Sequence, residues 1–330
     1  MRIPSSSILS RHRIQLFEPF LWLFALSVLW LFPKYLALAT SILIMALFAL
    51  SYDVVIGFAG ILSLGQAMFF GIGSYSAALI ALAGWREPIT GALAAGLISA
   101  TVAAVLAPLV LRLKHLPLIM VTVALNAIAF EAANKATSIT NGDDGLSGFE
   151  IAPLFGYFRW SIFGQTKYLY VLGWLFISFY LIRRLAASPF GVALQGIREN
   201  PVRMRLVGNA VLLHQSIAFA IGGGFAGIAG ALMAQTNTFV GLQVMSLDTT
   251  FDGLVMVVLG GIGSLYGGLI GAPVYLAIKH FAQQWSPYYW MFLVGMLLIV
   301  VMRFARGGLV GMIESLTTLI KRRRSDDPRA

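Results

Sequence analysis

Residues 183–210 read RRLAASPFGVALQGIRENPVRMRLVGNA. This stretch carries five arginines (Arg183, Arg184, Arg198, Arg203 and Arg205) against the single acid Glu199. Apolar runs flank it, residues 168–182 before and 211–234 after. A segment this charged cannot lie in hydrocarbon, so it must project into water between two buried spans and offer its surface to something else. A docking loop between membrane spans is the expectation.

The rest of the composition agrees. Of 330 residues, 59% are hydrophobic and 11% charged, where a soluble domain carries about 25% charged residues. The class expected is all-α and polytopic, a single membrane-embedded domain over residues 1–330. The net charge of +10 does not point to nucleic acid, because the basic residues sit at the ends of apolar runs, where membrane topology places them. With no cysteine and four scattered histidines, disulfides, thiol chemistry and a clustered metal site are not expected.

Runs long enough to cross about 30 Å of hydrocarbon begin at residues 20–32, taken as a retained first span, and 35–56, which contains Asp53. Residues 60–83 are apolar but punctuated by Gly60, Gly65, Gly71 and Gly73, and carry Ser63 and Gln66. Each glycine weakens a helix by about 1 kcal/mol relative to Ala, so a kinked or discontinuous helix is expected. Its glycines serve either close packing or backbone lining a pathway. Further runs cover residues 89–111, 116–133 with Thr122 and Asn126, 168–182, 211–234 and 288–302. Gly223 and Gly227 have the spacing of a close helix–helix contact. With broken segments included, about eight to ten membrane helices are expected.

Topology tests the list. If residues 1–19, 112–115, 183–210 and 303–330 are cytoplasmic, they hold 17 of the 23 Lys and Arg, as positive-inside orientation requires. Residues 134–167 then form a periplasmic loop. Parity also forces residues 252–279 to enter, turn near Gly260, Gly261, Gly263 and Ser264, and return; such irregular backbone must be shielded by protein. Gly60-Ile-Leu-Ser-Leu and Gly261-Ile-Gly-Ser-Leu share residues at matching offsets, a possible mark of an inverted repeat. Asp53 is expected near the cytoplasmic interface, solvated or paired with Arg112 or Lys114, the alternative being a functional charge at membrane depth.

Residues 57–75 (GFAGILSLGQAMFFGIGSY), 140–146 (TNGDDGL), 188–191 (SPFG) with 197–200 (IREN), and 260–267 (GGIGSLYG) occur in one order over nearly the whole chain. Together they resemble the permease subunits of branched-chain amino-acid ABC importers, the LivM type. The resemblance implies a cytoplasmic coupling loop inserted into a separate ATPase, with Arg198, Glu199, Asn200 and Gly208 as coupling positions and Arg203 beside them. It also implies a second related permease, two ATPase chains and a periplasmic solute-binding protein, in a bacterial inner membrane with both termini cytoplasmic. Gly196 stands where the family pattern suggests Ala, and is expected to loosen the coupling helix. Asp53 stands where Asn is more usual.

No phosphate-binding Gly-x-x-x-x-Gly-Lys-Ser/Thr motif occurs, so ATP is expected on partner chains and this chain to be non-catalytic, without cofactor or metal. Ser63, Gln66, Thr122, Asn126 and the backbone at Gly71, Gly73, Gly260, Gly261, Gly263 and Ser264 are the candidate substrate path. Apolar walls with a few amides and hydroxyls suit a small zwitterion with an aliphatic side chain, and would equally pass urea or a short amide. An ion-coupled transporter is the rival reading. An intramembrane enzyme would need a Gly-x-Ser-x-Gly or His-Glu-x-x-His motif, and neither is present.

Overall fold

The computed structural model describes residues 18–154, 160, 164–285, 291–292, 295–296, 299 and 308–312. Apart from those few positions, the expected last span and C-terminal tail lie outside the described residues, as does the N-terminal segment through residue 17. The described chain is all-α save one two-residue antiparallel pair, β1 (Leu146–Ser147) with β2 (Phe239–Val240).

Helix α2 (Leu36–Tyr52) follows α1 (Glu18–Leu31) and is apolar on every side, the mark of a helix surrounded by protein. Most of it is buried. It continues into a π-helical segment, Asp53–Phe58, in which Ala59 N donates to Val54 O five residues back at 3.3 Å. The helix then breaks over residues 59–65 and resumes as α3 (Gln66–Leu82). The discontinuity expected from the glycines is therefore confined to Gly60 and Gly65. Gly71 and Gly73 lie inside an unbroken helix.

The next helices are α4 (Pro88–Val110), α5 (Leu116–Lys135), the single turn α6 (Thr137–Thr140) and α7 (Gln165–Ala186). The docking stretch forms α8 (Pro189–Glu199) and α9 (Pro201–Leu206), after which α10 (Val211–Asn237) returns through the core. Its glycines let both neighbours approach closely. Gly223 and Gly227 face Ala103 and Ser99 of α4, while Gly227 and Gly230 meet the α3 backbone at Gly73 and Phe70. Ser74 donates to Gly230 O at 2.8 Å and Ser99 to Gly223 O at 2.9 Å, the hydrogen bonding that replaces hydrophobic attraction between helices in lipid.

Helices α11 (Leu247–Gly260) and α12 (Leu265–Trp285) form a pair bent by 115° at the turn of residues 261–264. The bend falls at the glycines where a turn was expected. Gly260 and Gly271 lie against the backbones of Gly267 and Met256, so the two legs touch. Both pack on α2, where Gly253 meets the Phe48 and Tyr52 rings and Gly268 the Leu50 amide.

Five described helices are long and apolar enough to cross a membrane, six if the bent pair is one span. The difference from eight to ten has a structural cause. The first helix and α3 are short apolar helices, the α11–α12 pair shares one turn, and the last span lies outside the described residues. The two glycine-rich breaks meet side by side, Gly57 lying against Gly263. Gly308 lies there too, against the Gly261 backbone.

Candidate functional site

The two ends of the bundle differ chemically. At the basic end, α7 gives way to α8 through Ser188, whose Oγ accepts from Gly191 N at 3.3 Å, with Pro189 at the first helical position. Both are standard helix-start features. Gly191, Leu194 and Ile197, spaced by three, are the buried face of α8. Asn200 then caps α9, accepting from Val202 N at 3.1 Å and Arg203 N at 3.0 Å. Gly208, at φ +90°, ends the elbow.

Gly196, expected to loosen the helix, lies within α8. A Cβ added to it would lie 2.9 Å from Met204 Sδ, so glycine lets α9 fold down on α8. The exposed surface of the elbow combines Glu199, Arg203 and Arg205 with Val192, Val202, Leu206 and Val207. Leu206 and Val207 are 83% and 80% exposed. Clustered apolar side chains left bare beside charge mark a surface that meets another protein.

Arg198 behaves differently from its neighbours. The residue stays exposed overall, but its Nη1 reaches back to donate to Gly57 O, beside the first break. Asp53, also expected at a watery interface, is 1% exposed and accepts from Gly263 N at 2.7 Å. It is neither solvated nor hydrogen-bonded to Arg112 or Lys114; the residue that the sequence left unlinked to it, Gly263, arrives from 210 positions away. Among the path candidates, Gly260, Gly261, Gly263 and Ser264 all belong to this turn, with Ser264 Oγ donating to Gly261 O at 2.7 Å.

Ser63, Gln66 and Thr122 come together deeper in the bundle. Thr122 Oγ1 accepts from Leu64 N at 3.1 Å and Ser63 Oγ from Gly65 N at 3.2 Å. The cavity beside them measures about 10 Å³, room for about one water. The Gln66 amide is fully buried and neither of its polar atoms is hydrogen-bonded among the described residues. Gly71 and Asn126 meet at Met245: its side chain covers Gly71, and its carbonyl accepts from Asn126 Nδ2 at 3.0 Å. Gly73 sits against Gly227, a packing role.

The large cavity, about 740 Å³, opens at the other end. Ser41, Asp143, Asn237, Gln243, Thr249 and Asp252 supply its polar wall, among Met45, Phe70, Met233 and other apolar groups. Ser246, also in the wall, caps α11 by accepting from Thr249 N at 3.2 Å, so a helix start faces the space. Asp252 pairs with Lys279 at 2.5 Å and accepts from the Tyr275 hydroxyl. Sequence reasoning missed this wall because its polar residues belong to separated segments read as connections. The signal available was Asp252 and Lys279, charges bounding an apolar run that had to fold back on itself.

Comparison with known proteins decides the family. Residues 34–302 match the family model described as branched-chain amino acid transport system / permease component. The chain belongs to this permease family. Two relatives named high-affinity branched-chain amino acid transport system permease protein LivM, from Salmonella typhimurium and Escherichia coli, are each 30% identical over 301 residues, covering 83% of this chain and 69% of theirs. A probable LivM protein of Methanocaldococcus jannaschii is 28% identical over 176 residues, 47% of this chain and 50% of its own. No solved structure matches the chain. Permease membership agrees with the several apolar helices of a multi-pass membrane protein.

Proposed function

We propose that this chain is the membrane permease subunit of an ABC importer for branched-chain amino acids, in a bacterial inner membrane with the Arg183–Ala210 elbow and both termini cytoplasmic. Hydrolysis belongs to separate ATPase chains, and this chain is non-catalytic and without cofactor. A second, related permease and a periplasmic solute-binding protein complete the assembly. The observation that carries the reading is the α8–α9 elbow, whose bare Val202, Leu206 and Val207 lie among Arg203 and Arg205. A transporter driven by ion gradients has no use for such a handle. The 740 Å³ cavity at the opposite, periplasmic end is the solute vestibule. Its volume lies within the range of small-molecule sites, and its mixture of aliphatic and polar wall suits an aliphatic zwitterion. The small cavity at Ser63 and Thr122 lies on the closed part of the same route.

Co-expression with the ATPase and permease partners, followed by reconstitution in liposomes, tests this. ATP-dependent leucine uptake that survives collapse of ion gradients is expected. Uptake of urea in place of leucine would change the substrate, and uptake that follows the ion gradient without ATP would overturn the reading.

A further inference from the structure

Three irregularities of the backbone converge on one side chain. The π-helical segment Asp53–Phe58 ends with Gly57 O accepting from Arg198. The first break passes Gly60, at φ +70°, where an added Cβ would lie 3.0 Å from Arg198 Cγ. The α11–α12 turn presents Gly263, at φ +80°, where an added Cβ would lie 2.5 Å from Arg198 Nη1. Gly57 and Gly263 also touch each other, since a Cβ on Gly57 would lie 2.9 Å from Gly263 N. Asp53 closes the far side by accepting from that same amide. π-Segments and positive-φ positions are costly, and persist where surrounding structure holds them. Here what holds them comes from the docking helix.

We propose that Arg198 and Asp53 are positioning residues of a latch that ties α8 to the α11–α12 turn, so that displacement of α8 moves the turn with it. This rests on α8 being the ATPase-docking helix. Arg198 grips the first break through its backbone carbonyl, Asp53 grips the second through its backbone amide, and the two breaks lie against each other. A push on α8 therefore reaches two helix ends through these contacts without crossing the apolar core. Each hydrogen-bond partner is a backbone group, so truncating either charged side chain removes one of the two hydrogen bonds of the linkage and leaves the packing of Gly57 on Gly263.

The chain contains no cysteine, and Ile262, in the turn, is 42% exposed. A single nitroxide on Ile262→Cys, in the complex assembled with cysteine-free partner chains, reports the turn directly. In this parent, ATP with orthovanadate should change the label's spectrum. Arg198→Ala and Asp53→Ala should each abolish that change, Asp53→Ala while the ATPase still co-purifies and hydrolyses ATP, and leucine uptake per ATP should fall at least about tenfold, the order expected for a lost hydrogen bond to a charged group. Asp53→Asn keeps an oxygen for Gly263 N and should retain the response. The double variant should be no worse than either single, as one linkage requires. A normal spectral response in both alanine variants, or losses that multiply in the double, would overturn the latch. A purely structural role would instead lower yield and thermal stability and leave the uptake-to-hydrolysis ratio unchanged. Failure of the parent complex to assemble would remove the functional reading and the latch with it.

Discussion

At the residue scale, the glycines of α10 and the charges of α11 and α12 do opposite things. Gly73 and Gly227 bring two backbones into contact where any side chain would intrude. Gly73→Ala is expected to lower stability by roughly 1–3 kcal/mol, the cost of an extra methyl in a packed interior, read as a drop in the detergent-solubilised melting temperature. Gly84, also at positive φ, has nothing within 4 Å of its missing Cβ among the described residues, so Gly84→Ala should meet only backbone strain. Asp252, in the wall of the 740 Å³ cavity, pairs with Lys279, the side chains 18% and 19% exposed. Removing Lys279 leaves Asp252 with the Tyr275 hydroxyl but without its ion pair in a mostly dry place. Lys279→Met should destabilise by about 3 kcal/mol or less, given the partial exposure. The double change with Asp252→Asn should recover most of that loss, as thermal unfolding of the two variants will show. A double variant as unstable as the single would mean that each charge has a separate partner of its own.

At the element scale, the elbow's polarity was legible and its internal wiring was not. Ser188, Pro189, Asn200 and Pro201 start α8 and α9, a signal that the reading by charge passed over. The Arg198 bond to Gly57 was hidden because charge argues for solvent, and the exposed side chain serves both. Gly191, Leu194 and Ile197 set the inner face, and residue 198 lies only about a quarter-turn from 197, within reach for a long side chain. The setting of Gly196 was hidden for a related reason. Its role depends on Met204 of the next helix, and helix propensity carries no information about that neighbour. The cap gives the elbow a direct test. Asn200→Ala should cost about 1 kcal/mol of α9 stability and weaken ATPase association about fivefold, whereas Asn200→Asp keeps the acceptor and should bind as the parent does. Titration of the partner ATPase against the purified permease measures both. Equal weakening by the two variants would place the effect on the side-chain amide and not on the cap.

At the scale of the whole molecule, the apolar runs foretold most helices to within a few residues, because lipid and protein impose the same demand that every backbone group be satisfied inside the helix. What they could not foretell was which breaks meet. Asp53 and Gly263 are far apart in the chain, and an isolated carboxylate in an apolar run looks the same whether water or a distant amide satisfies it. Parity did better, because it is a global constraint: it placed the turn at residues 261–264, where α11 and α12 bend by 115°. The same constraint makes orientation testable. Arg203 and Leu206 lie on the elbow, while Lys167 Nζ donates to Thr236 O at 2.7 Å at the opposite end, so the two ends are fixed relative to each other. Only their assignment to the cytoplasm and periplasm rests on charge. In a chain without cysteine, Leu206→Cys and Phe239→Cys place one exposed thiol at each end. A membrane-impermeant maleimide added to spheroplasts should label position 239 and spare 206, and inside-out vesicles should reverse the pattern. Labelling of 206 from outside would invert the molecule, moving the elbow away from any cytoplasmic ATPase and turning the 740 Å³ cavity toward the cytoplasm. Labelling of both positions from one side would break the parity on which the α11–α12 turn was expected. The experiment thus bears on the docking surface, the vestibule and the bent pair together, since all three stand on one direction of insertion.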